Sequence, residues 1–265
     1  MVELNIYIIS TSESSRREFQ KKQFSMLGID FNFFDAITSN DIPFSEYLKN
    51  KYAWERPISF SEYACYKSHR ELWFKCIEIN APIFILEDDA LVSKDISKIL
   101  KYCLNYKNAD LVNFENRARK KIVSRTATKL DKTYQILRLY YSQTGAAGYM
   151  LWPSGASKII SCEKRKGIGL ADAQISNCST LKAFQIEPSP IVQMDMITYY
   201  NLPINIDQLV SSSSVSGEAR IESKLSNRLK RVLAQLRLLK NQIFLMPFTH
   251  KRLIRMSDTK KFLDV

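Results

Sequence analysis

The chain has 265 residues, 45% of them hydrophobic and 25% charged, which excludes a largely disordered polymer and allows one large core or a core with an appendage. The formal charge is +12, but residues 218–265 hold twelve Lys or Arg against four Asp or Glu, so the charge belongs to the tail rather than the body. Five cysteines at irregular spacing without a CxxC pair, and only two histidines, exclude a disulfide framework and a histidine-rich metal centre; any metal must rest mainly on oxygen ligands.

Met1 to Ser10 lacks the basic region and apolar stretch of a secretory signal, and no run approaches the roughly 20 apolar residues of a membrane span. A soluble cytoplasmic protein is the expectation. Leu4 to Ile9 reads as a strand, and the serines that follow can cap a helix over Arg16 to Leu27, closed by Gly28. Ile29 to Ile37 reads as a second strand, giving a β-α-β opening. Ser59 to Asn80 has helical periodicity, with Ser59 or Ser61 as cap, and Pro82 to Leu86 is a strand apolar on both faces. Further strands are expected at Ala109 to Phe114, Ala147 to Trp152 and Ala183 to Ile186, with a helix at Gly155 to Cys162. This alternation predicts an α/β sheet, largely parallel.

Ser211 to Gly217 is a small, polar linker. Beyond it Leu225, Leu229, Val232, Leu236, Leu239 and Ile243 fall within about 40° of one helical face at 100° per residue, flanked by Arg228, Lys230, Arg231, Arg237 and Lys240. Pro247 should end this helix, leaving Lys251, Arg252, Arg255, Lys260 and Lys261 as a second basic cluster that need not be folded. The organisation expected is a catalytic domain over 1–210 and a basic amphipathic helical extension over 218–265.

Glu87-Asp88-Asp89 directly follows the most apolar strand, where open α/β sheets bind ligands. Three adjacent carboxylates repel one another, an arrangement best tolerated beside a divalent cation. Alternate residues Glu87 and Asp89 would point to one side; a solvated acidic turn is the alternative.

Ile85-Leu86-Glu87-Asp88-Asp89 resembles the central motif of glycosyltransferase family 25, the lipooligosaccharide biosynthesis and collagen galactosyltransferase family. Other motifs resemble that family in the same order. They are Ile8-Ile9-Ser10 with Ser14 and Arg16-Arg17, Phe33-Phe34-Asp35-Ala36-Ile37, Ser61 to His69, Asp110 to Phe114, Thr144 to Tyr149, Leu170-Ala171-Asp172 and Leu181 to Gln193. Departures are Ser10-Thr11 in place of Asn-Leu, and the loss of both glycines of the segment around Cys65. The tail after Ser211 has no such match.

The resemblance implies a GT-A-like fold, a UDP-hexose donor and transfer with inversion. An acceptor hydroxyl must lose its proton as it attacks, which calls for a carboxylate base, and a diphosphate leaving group needs a cation. Asp172 is the preferred base, standing apart from the triplet and matching the family's acidic position. Asp89 and Asp195 are the candidate metal ligands, for manganese or magnesium, with Asp88 a further possibility. Ser10, Arg17, Ala36, His69, Glu87, Asp88, Thr144 and Gly145 are assigned to the donor, with Tyr149 offering a face to the hexose. Trp54 and Trp73 belong to the core or to an acceptor groove.

The activity this implies is transfer of galactose from UDP-galactose to a lipooligosaccharide or lipopolysaccharide core sugar at the inner face of a bacterial inner membrane. The tail helix would lie on the membrane surface or else pack on the domain or on a second subunit of a homodimer. A metal-dependent nucleotidyltransferase is the rival enzyme. A nucleic-acid-binding protein is the rival from another class, disfavoured because the basic residues lack interleaved aromatic platforms.

Overall fold

The computed structural model describes residues 4–106, 108–142, 145–204 and 224–262. A nine-stranded mixed sheet runs through the molecule in the order β11-β6-β7-β9-β5-β8-β3-β1-β2. Its N-terminal part is the expected parallel unit: β1 (Asn5–Ser10) lies between β2 (Asn32–Asp35) and β3 (Ile83–Glu87), parallel to both. β8 (Gly148–Leu151) runs against both β3 and β5 (Leu111–Asn113), and β5 is parallel to β9 (Ala183–Glu187). β6 (Lys121–Lys129) and β7 (Gln135–Tyr141) continue the sheet antiparallel.

Strand alternation sorts the core into two layers. Ile83 and Ile85 join the cluster beneath α3 (Phe60–Glu78), α5 (Pro153–Lys166) and α6 (Ala171–Ser176), whereas Phe84 and Leu86 join the one beneath α1 (Arg16–Leu27) and α4 (Ile96–Leu104). The apolar run of β3 is thus covered on both faces. α3 begins with a full capping box, Ser59 accepting from Glu62 N and Glu62 accepting from Ser59 N. α1 ends on Gly28 at φ +61°. Of the serines before α1, Ser15 makes no side-chain cap bond, whereas Ser14 Oγ accepts from Arg16 N at the start of the helix while it donates, like Ser10, to Asp88. The short helix α2 (Phe44–Asn50) precedes α3. A two-stranded antiparallel ribbon, β4 (Ala90–Val92) with β10 (Ile191–Gln193), leads into the short helix α7 (Ile197–Tyr200) and pairs Ala90 with Gln193.

The expected linker at 211–217 lies outside the described residues. The tail helix α8 spans Leu225–Leu245, stopping two residues before Pro247. The second basic cluster is folded rather than loose. β11 (Thr249–Arg252) adds an edge strand to β6, because buried Glu187 draws in both Arg252 and Arg255, and Asp95 draws in Lys261. No helix among the described residues is long and apolar enough to cross a membrane.

Candidate functional site

The carboxyl end of β3 delivers Glu87, and the turn into β4 delivers Asp88 and Asp89, so three carboxylates leave the sheet where β1 and α1 also end or begin. Their side chains have separate fates. Asp88 is bound inward: Ser10 Oγ and Ser14 Oγ donate to Oδ2 at 2.7 and 2.8 Å, and Arg16 reaches Oδ1 at 3.1 Å. Gln20 fastens the backbone below, donating to the carbonyls of Asp88 and Ala90. Asp89 receives Gln193 Nε2 on Oδ2 at 3.1 Å, while its buried Oδ1 has no protein partner. Burial and then the Glu87 charge hold Asp89 well above the usual carboxylate range.

Glu87 ends a buried relay. Trp73 Nε1 can only donate, and does so to Tyr149 Oη at 2.9 Å. The single Tyr149 proton is then left for His69 Nδ1 at 3.0 Å, so the imidazole carries its own proton on Nε2 and donates to Glu87 Oε1 at 3.2 Å. Burial pushes His69 down to about 4, so the ring is neutral at ordinary pH. Glu87 itself is pushed up to about 7, by burial first and then by the Asp172 and Asp88 charges. His69, expected to touch the donor, has no exposed surface and positions Glu87 instead. Tyr149 and Trp73, both fully buried, likewise belong to this relay and not to a sugar pocket or groove.

Near them lies the start of α6, which follows α5 through residues 167–170. Asp172, half-buried in its first turn, is raised by burial and exchanges charge interactions with Glu87 and His69, so the fold brings it to the triplet. Gly145 shares a recess with Asp172. A Cβ there would lie 2.3 Å from Asn113 Nδ2, and its φ of +142° further demands glycine. Thr144 lies outside the described residues. Arg17, assigned to the donor, clamps the end of β1 by donating to the Thr11 and Ser10 carbonyls at 2.9 and 2.8 Å, and pairs with Asp35. Ala36 donates its N–H to the same Ser10 carbonyl. Asp195 is ion-paired with Arg117, which also donates to Gln193 Oε1.

Sequence reasoning gave no role to Gln193, although β4–β10 pairing sets it against both Glu87 and Asp89. It also missed buried Lys121, whose Nζ donates to Asn113 Oδ1, the Glu115 carbonyl and Gln185 Oε1 behind the site. Neither could be found from spacing, since each depends on strands distant in sequence. For a cation, the unpartnered Asp89 oxygen and the oxygen-rich surroundings fit a hard ion such as manganese or magnesium. Asp88 is spent on Ser10, Ser14 and Arg16, and Asp195 would first have to leave Arg117. Cys65, His69 and Glu87 also offer ligand atoms within 4.8 Å of one another. Both His69 nitrogens are already engaged there, and burial with the surrounding carboxylates keeps the Cys65 thiol protonated.

Comparison with known proteins agrees with this architecture. The family model for glycosyltransferase family 25, described as LPS biosynthesis protein, matches residues 3–173. The chain is 30% identical over 209 residues to the lipooligosaccharide biosynthesis protein lic2B of Haemophilus influenzae, covering 71% of this chain and 75% of the relative. It is 34% identical over 104 residues to the lacto-N-neotetraose biosynthesis glycosyltransferase LgtE of Neisseria meningitidis serogroup B, covering 36% and 35%. With the triplet at the end of β3, the capped α3 that carries His69 and the Asp172 turn all inside or at the edge of the matched span, the chain belongs to glycosyltransferase family 25.

Proposed function

We propose that this protein transfers a hexose, galactose from UDP-galactose, to a core sugar of lipooligosaccharide or lipopolysaccharide, with inversion at the anomeric carbon. The observation that carries the reading is the Asp89 carboxylate beside Glu87, half-buried at the carboxyl end of β3 with one oxygen left without a partner. A divalent cation held by that oxygen would stabilise the charge of the diphosphate leaving group. Asp88, fixed by Ser10, Ser14 and Arg16, keeps the turn in shape, and the Trp73-Tyr149-His69 relay orients Glu87. Asp172 is the base. Its raised affinity for a proton suits a group that removes one from an acceptor hydroxyl.

Asp172→Asn tests the assignment. Transfer from UDP-galactose to delipidated core oligosaccharide should fall by at least about a hundredfold, while UDP affinity stays within about twofold. A loss of UDP affinity matching the loss of rate moves Asp172 into the donor site.

The tail supports a place on the inner membrane surface. The residues of α8 that face the body, Asn227, Ala234 and Leu238 among them, lie about 160° around the helix from the apolar stripe at 100° per residue. The stripe therefore points away from the protein: Leu225 is 77% exposed and Ile243 64%. Arg228 and Lys240, both exposed, flank it on its two sides. An apolar strip edged by cations fits an anionic lipid surface, each basic residue near it contributing about 1 kcal/mol. A lipid-linked acceptor would be found at that surface.

A further inference from the structure

Between α8 and the body lies a cavity of about 620 Å³, within the roughly 300–1,000 Å³ range of small-molecule sites. Ala234, Leu238 and Gln242 roof it, and Trp54, Tyr140 and Tyr141 stand in its walls. The Arg56 guanidinium lies over the Trp54 ring at 5.3 Å and that of Arg138 over Tyr140 at 5.2 Å, so both rings are held before anything binds. A smaller recess shares Tyr140, Tyr141 and Ser176 with the cavity and is lined further in by Asp172 and Gly145. The shared lining thus leads from the cavity under the tail helix toward Asp172.

We propose that this cavity binds the acceptor glycan, with Trp54 and Tyr140 as the platforms for its sugar rings. The proposal rests on the glycosyltransferase reading above. A pyranose has an apolar C–H face and a polar rim, which matches rigid aromatic walls interrupted by the amides of Gln174 and Gln242. The same helix then serves both ends of a lipid-linked acceptor, its outer stripe on the lipid and its inner face over the glycan. At the inner end the acceptor hydroxyl oxygen bonds to the donor's anomeric carbon as the bond from that carbon to the diphosphate oxygen breaks. The electron pair leaves with the nucleoside diphosphate and the hydroxyl proton passes to Asp172.

Leu238→Trp, which fills the cavity from its roof, and Tyr140→Ala, which removes a platform, test this in the full chain with UDP-galactose and delipidated core oligosaccharide. Each should raise the acceptor KM by at least about tenfold with the donor KM within about twofold. An unchanged acceptor KM in both variants overturns the proposal, as does a donor KM that rises in step. Saturation-transfer NMR of the oligosaccharide without donor gives a second reading. A signal with the wild type that is lost in Leu238→Trp supports the cavity even if no UDP-sugar is turned over, an outcome that sinks only the transferase reading. Equal signals from the two proteins sink the cavity alone.

Discussion

Glu87, Asp88 and Asp89 are adjacent in sequence and have three different jobs by geometry: one is oriented by an imidazole, one is locked by hydroxyls and a guanidinium, and one keeps an open oxygen. The sequence made the cluster visible because carboxylates after a buried strand are conspicuous. It could not divide them, since the partners come from β1, α1, α3 and β10. His69 shows the same limit. A Ser-His pair in a motif points to the site, but only the fold reveals that Tyr149 and Glu87 use up both ring nitrogens. Gly145 is a residue-scale constraint that can be measured. Gly145→Ala sets a methyl against Asn113, whose amide oxygen holds Lys121, at a φ that disfavours any side chain. The urea midpoint should fall by the equivalent of about 1–3 kcal/mol, with activity lost in parallel. An unchanged midpoint would show that the loop relaxes freely.

At the scale of elements, the β-α-β opening, α3, β3, β8 and α5 were legible because each has a clean period, cap or glycine stop. β6 and β7 were not. β6 is polar and largely exposed beyond Val123, and β7, though mostly apolar, lacks a clean two-residue alternation, so the pairing that makes them strands comes from each other and from β9. The tail's return was hidden for a related reason: a basic segment looks unstructured until its buried acidic partner is known. Glu187 is that partner, held down to about 2 against burial by Arg252, Arg255 N and Gln135. Its folded value lies below its unfolded one, so the stability it contributes is present above about pH 4.5 and is lost as pH falls toward 2. The lowering corresponds to about 3 kcal/mol. Acid titration followed by hydrogen exchange should release β11 in that window, and Glu187→Gln should remove that part of the pH dependence. A β11 that stays protected at pH 2 contradicts the linkage.

Across the whole molecule, the sheet joins a parallel β-α-β opening to a largely antiparallel part that the C-terminal segment closes. Deleting 218–265 would strip Glu187 of its cations, so surface attachment is better tested with the tail in place. Leu229→Glu, Leu236→Glu and Ile243→Glu together change only exposed positions. Co-sedimentation with anionic liposomes should be abolished while the rate on soluble oligosaccharide stays within about twofold. Undiminished liposome binding by this variant would refute the membrane assignment of the stripe.

In the proposed reaction the carboxylates at the end of β3 hold a nucleoside diphosphate through a cation. Calorimetric titration of UDP into the wild type and Asp89→Asn, each with and without manganese, tests it most directly. Tight binding is expected only for the wild type with manganese, weakened by at least about tenfold in Asp89→Asn, about 1.4 kcal/mol. Equal UDP affinity in the two proteins, with manganese making no difference to either, would contradict it.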